Sequence, residues 1–125
     1  MEKKYLKLND IDAFKRAFHL SNKVWKIVIS WDNFSKNTVG SQFVRAIDSI
    51  SANLAEGFGR YSKKDKIRYY QIAFGSLKES FDWNEKSKYR GLISSETYIE
   101  IFNELNLLPL EIHQLIKYTN LTLSK

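Results

Sequence analysis

The sequence contains no cysteine, so neither a disulfide framework nor a thiolate-held metal, whether zinc finger or iron–sulfur cluster, is available to it. Histidine is nearly as scarce. Only His19 and His113 occur, and the residues three before them are Arg16 and Leu110 rather than glutamate. A carboxylate-bridged di-metal centre needs Glu-x-x-His on two helices of a bundle, so no metal or other cofactor is expected. One proline and five glycines among 125 residues leave few places to turn, which favours a few long helices over many short strands. No apolar run approaches the roughly 20 residues that span a bilayer. The longest, residues 24–31, is broken by Lys26 and Ser30. The charged start, Met1-Glu2-Lys3-Lys4, leads into no continuous apolar stretch of signal-peptide type, and a cytoplasmic location without membrane contact is expected.

What is present suits one soluble domain over residues 1–125: 43% of residues are apolar and 14% aromatic, enough for a core at this length. Phe14, Phe18, Ser21, Trp25 and Val28 recur at spacings of four, three, four and three, flanked by Ala17, Val24 and Trp31, after an Asn9-Asp10 cap signal. The spacing predicts a first helix over about residues 10–34. Beyond a polar stretch at 32–37, Phe43, Val44, Ile47, Ile50 and Leu54 predict a second over about 39–56, stopped by Gly57 and Gly59 where positive φ is tolerated. Ser62 followed by Asp65 resembles a capping box and opens a third over about 62–89, closed by Gly91. Ser94 or Ser95 opens a fourth over about 94–121. Pro109 falls inside it, lacks an N–H and crowds the Leu105 carbonyl, so a kink or break is expected there.

Short connections make neighbouring helices antiparallel, and the expected fold is an all-α, up-and-down four-helix bundle. Its expected core is Phe14, Phe18, Trp25, Val28, Ile47, Ile50, Leu54, Ile72, Ala73, Leu77, Ile101, Leu105, Ile112 and Leu115. The tails, residues 1–8 and about 122–125, are expected to fray. Gly75, in mid-helix, costs about 1 kcal/mol relative to alanine, which points to close packing against a helix of this chain or a neighbour.

No catalytic constellation stands out. Gly57-Phe58-Gly59 begins like a nucleotide loop, but Ser62 replaces the third glycine of G-x-G-x-x-G and no strand precedes it. Glu79, Asp82 and Glu85 share one solvated face. The sequence is therefore read as non-enzymatic. Charge is more informative, with 20 Lys and Arg against 14 Asp and Glu, a net +6. Arg16, His19, Lys23 and Lys26 form a ridge on helix one. Arg60, Lys64 and Arg68 repeat every four residues, with Lys63 and Lys66 adjacent and Tyr61, Tyr69 and Tyr70 interleaved. Glu96, Glu100 and Glu104 form an acidic ridge on helix four. Lysine and arginine bind phosphates by releasing counterions, and tyrosines can stack unpaired bases, although Tyr70 suits the core better. Arg16, Lys23, Lys26, Arg60, Lys63, Lys64 and Arg68 are the candidate phosphate contacts to RNA or DNA. Two other readings stay open: a solvated face, and a scaffold whose basic ridge binds an acidic protein, including the Glu96/Glu100/Glu104 face of another copy. Arg60 also has Glu56 one turn away, which favours a structural pair.

The run at residues 39–62, with Ala46, Ser49-Ile50, Asn53-Leu54-Ala55-Glu56-Gly57 and Arg60, resembles the bacterial four helix bundle protein family, also called 23S rRNA intervening-sequence proteins. The likeness continues through Arg68-Tyr69-Tyr70, Ala73, Gly75-Ser76-Leu77-Lys78-Glu79 and Arg90-Gly91-Leu92-Ile93, covering most of the chain. A relative of that family is the accessory variability determinant of diversity-generating retroelements. The resemblance implies an antiparallel bundle assembled as a homopentameric ring, and it implies nucleic acid and a reverse transcriptase as partners of that relative's kind. It transfers no catalytic residue. Pro109 departs from the family's pattern.

Overall fold

The computed structural model describes residues 6–124. Four long helices, α1 (Asp12–Val28), α2 (Ser41–Gly59), α3 (Lys63–Tyr89) and α4 (Ser95–Thr122), account for most of the chain, and no strand occurs among the described residues. Each helix packs on two neighbours in the cyclic order α1, α2, α3, α4, so the molecule is a four-helix bundle. Of the tails expected to fray, residues 1–5 and Lys125 lie outside the described residues. Leu8–Asp10 form a 3-10 turn, and α4 runs to Thr122.

The helix ends follow local chemistry. The Ser62 and Ser94 hydroxyls accept from the backbone N–H of Asp65 and Thr97, both at 3.1 Å, each satisfying an orphan donor of the first turn. Gly91, at φ +72°, ends α3, and Leu92 N–H closes the turn onto the Ser87 carbonyl at 2.8 Å. Gly57 and Gly59 need no positive φ: α2 simply ends at Gly59, and Arg60 turns extended. Asp10 does not cap α1 and instead accepts from Lys7 N–H.

Helix one ends at Val28, not near residue 34, and the polar stretch between the first two expected helices is itself helical from Asn33 on. Asp32 explains both. Its carboxylate accepts from Ser35 N–H at 3.1 Å and starts a new helix, through Asn33–Ser35 and a π segment, Lys36–Gly40, into α2. Gly40 lets this segment approach α1, since a Cβ there would lie 2.6 Å from Val28 Cγ1.

The core faces differently on α1 from the arc marked by its aromatic residues. Ala13, Ala17, Leu20, Val24 and Val28 are buried, about 100° around the helix from the arc of Phe14, Phe18 and Trp25. Phe18 is 56% and Trp25 53% exposed, and Phe14 is half-buried. Alanine and mid-sized aliphatic residues face the bundle, leaving the aromatic stripe outside. Ile72 is likewise exposed and Leu115 half-buried, whereas Phe43, Tyr70 and Leu108 join the core. The other expected core positions, Val28, Ile47, Ile50, Leu54, Ala73, Leu77, Ile101, Leu105 and Ile112, are buried.

Pro109 does not break α4, which is continuous from Ser95 to Thr122. Leu105, Leu108 and Ile112 are all fully buried around it, and their packing outweighs one missing backbone hydrogen bond.

Gly75 is not a packing position within this chain: an added Cβ would meet nothing within 4 Å. Gly75→Ala is therefore expected to raise stability by about 1 kcal/mol through helix propensity alone, measured by urea unfolding. A loss of stability or of oligomer mass would place this face in a contact between chains.

Candidate nucleic-acid interface

The tight α2–α3 turn and the end of α4 bring the second basic cluster to one end of the bundle. Its residues divide by environment. Arg60 Nη2 donates to Glu56 Oε1 at 3.2 Å and to Tyr69 Oη at 2.8 Å, so the structural pairing holds. The Tyr69 ring carries two guanidinium groups, Arg60 at 4.7 Å and Arg68 at 5.0 Å from its centroid. Lys66 Nζ turns inward and donates to the Phe58 carbonyl at 2.6 Å, satisfying an orphan acceptor at the end of α2. Burial pulls its pKa below the ordinary lysine value. Lys63 reaches the Asn120 carbonyl at 3.3 Å, near the C-terminus of α4.

Lys64 and Arg68 are the accessible cations of this end. Lys64 is exposed with no carboxylate in reach among the described residues, and Arg68, besides its contact with the Tyr69 ring, has among them one carboxylate in reach, Asp65 at 3.7 Å on the surface. Of the three tyrosines, Tyr61 is fully exposed and Tyr69 is covered by the arginines. Tyr70 is core, 1% exposed, its hydroxyl pushed up to about 12 by burial, with the Thr119 hydroxyl offsetting part of that shift.

The helix-one ridge has a different fate. Arg16 Nε binds Glu111 Oε1 at 2.6 Å and its Nη1 lies 3.7 Å from Glu104, while Lys23 Nζ binds Glu100 at 2.8 Å. The Glu111 hydrogen bond holds the Arg16 guanidinium above its ordinary pKa. The basic ridge of α1 thus pairs with the acidic ridge of α4 in its own chain. Lys26 and His19 remain exposed. No group of three or more metal-ligating side chains occurs among the described residues, and none of their helices is long and apolar enough to cross a membrane.

A further basic cluster, outside the two ridges, comes from residues 86–90, which hold three cations. At the opposite end of the bundle, Arg90 and Tyr89 are exposed at the end of α3, and Lys88 lies over the Tyr98 ring at 4.3 Å.

No curated protein matches the chain. A solved structure from Bacteroides thetaiotaomicron, described as a protein with unknown function from the S23 ribosomal protein family, superposes with a TM-score of 0.74. It shares 22% identity and covers 84% of this chain and 98% of its own, a likeness that shows the common fold. Residues 9–114, spanning α1 to α3 and most of α4, match the 23S rRNA-intervening sequence proteins, and with this stretch taking in nearly the whole bundle, the chain belongs to that family.

Proposed function

We propose that the chain is a non-enzymatic, cytoplasmic nucleic-acid-binding accessory protein whose α2–α3 end contacts phosphates. The observation that carries this reading is the accessible pair Lys64 and Arg68, with Lys63 between them and the last turn of α4, beside fully exposed Tyr61. They surround the N-terminus of a 27-residue helix, whose oriented N–H groups add positive potential. Tyr61 offers an unobstructed ring to an unpaired base. Since carboxylates of the chain hold Arg16, Lys23 and Arg60, the contacts we assign are Lys26, Lys63, Lys64 and Arg68.

The protein acts as a homo-oligomeric ring in this reading, with the number five taken from the family resemblance. Phe18 and Trp25 on α1, with Ile29 just beyond it, and Ile99, Leu107 and Leu110 on α4 are exposed apolar side chains on two different helices. Contact between two unlike surfaces is head-to-tail and gives a ring where the rotation between copies closes, and a ring multiplies weak phosphate sites without new contacts. RNA that co-purifies, seen as excess absorbance at 260 nm, and light scattering at about five chain masses are the expected results. A nucleic-acid-free monomer that fails to bind labelled RNA at low salt would overturn the reading.

A further inference from the structure

At the end of the bundle away from Arg60, a cavity of about 620 Å³ opens between the π segment and the C-terminal turn of α3. Its volume falls within the roughly 300–1,000 Å³ of small-molecule sites. Phe34, Trp83 and Leu92 supply apolar walls, and Asn37, Gln42 and Arg90 supply polar ones.

Three independent features mark it as more than a surface dent. A π turn is rare and frequently lies at functional sites, and here Lys36–Gly40 places Asn37 on the wall. The indole N–H of Trp83 is buried with no acceptor among the described residues, a donor whose desolvation nothing offsets. Arg90 has no carboxylate in ion-pair reach among the described residues, and Phe34 stands 78% exposed at the rim.

We propose that this cavity binds a nucleotide, its base against Phe34 and Trp83 and its phosphate on Arg90. A flat ring suits the aromatic walls. The amides of Asn37 and Gln42 each present a donor and an acceptor, the pairing that a base edge requires and a lipid or a bare anion does not. Arg90 supplies a planar fork for phosphate oxygens. The site is separate from the α2–α3 end and stands whether or not that end binds RNA.

Titration of the full chain with AMP by calorimetry tests this. Saturable binding with Kd below about 1 mM is expected, with adenosine and inorganic phosphate each at least about tenfold weaker. Arg90→Gln should weaken AMP about tenfold and leave adenosine unchanged, while Phe34→Ala should weaken both. Both side chains are exposed, so the bundle persists, which circular dichroism verifies. In NMR spectra the Trp83 indole N–H, assigned with Trp83→Phe, should shift on AMP addition while that of Trp25 does not. The source of the nucleotide is read in a Lys63→Gln, Lys64→Gln, Arg68→Gln background. A short oligoadenylate binding at least about tenfold tighter than AMP, and equally weakened by Arg90→Gln, identifies an unpaired nucleotide of a strand. Equal or weaker binding identifies a free nucleotide. Absence of saturable binding by AMP and UMP, or binding indifferent to both substitutions, would overturn the proposal.

Discussion

Replacing Lys63, Lys64 and Arg68 together by glutamine is expected to lower affinity for RNA roughly a hundredfold at 0.1 M salt while the helical circular dichroism stays intact. Each phosphate contact contributes about 0.7 to 0.9 to the slope of log affinity against log salt, so three lost contacts reduce the slope by about 2 to 3. Glutamine has nearly the helix propensity of lysine and arginine, and none of the three side chains makes a short ion pair, so the fold loses little. Weakening should be uniform across sequences, because these contacts reach backbone charge and hold no bidentate group at a base edge. Arg16→Gln makes the opposite comparison. Its guanidinium is held by Glu111 and Glu104, so the substitution should lower stability and leave the salt slope nearly unchanged. Fluorescence anisotropy with labelled RNA over a range of salt reads both. An unaltered slope in the folded triple variant would reduce the α2–α3 end to a solvated face.

Gly57→Ala is expected to destabilise the bundle by about 2 kcal/mol, the opposite sign from Gly75→Ala. The new Cβ would lie 2.7 Å from Tyr70 Cε1 and 3.0 Å from the Lys66 carbonyl oxygen. Tyr70 is among the largest fully buried side chains, and a backbone oxygen cannot swing aside, so the strain exceeds the roughly 1 kcal/mol that alanine gains in helix propensity. Truncating the ring in a Gly57→Ala, Tyr70→Leu double variant removes the Tyr70 part of the clash and leaves the contact with the Lys66 carbonyl. Its cost should fall below the sum of the single costs in urea unfolding, the signature of direct coupling. Additive costs would show that the close approach of α2 and α3 is not what glycine serves here.

The helices were legible where local chemistry marks them. Ser62, Ser94 and Gly91 act through their own turns, and sequence spacing identifies Ser62 and Gly91 and narrows the fourth cap to Ser94 or Ser95. The end of α1 was not legible, because apolar residues continue through Trp31 and the stop comes from Asp32 starting another helix. The aromatic residues of α1 mark an arc other than the buried one, because they signal hydrophobicity more strongly than Ala13 and Ala17. Which stripe turns inward depends on how close the neighbour comes. At the candidate site, Glu56 and Arg60 are one turn apart and could be paired by eye. The partners of Arg16 and Lys23 could not, since only the order of helices around the bundle brings Glu111 and Glu100 beside them. The Trp83 cavity was hidden for a related reason: its two walls are about fifty residues apart in the chain.

The Arg16–Glu111 and Lys23–Glu100 bridges also bear on how the bundle comes together. Their partners are 95 and 77 residues apart, whereas α2 and α3 are joined by a three-residue turn, residues 60–62, and can pair early at little loop-closure cost. The first helix is expected to meet the last only after the central hairpin has set their spacing. On that order the seam is expected to close last and open first, and amides of α1 should exchange with solvent through smaller openings than those of α2 and α3.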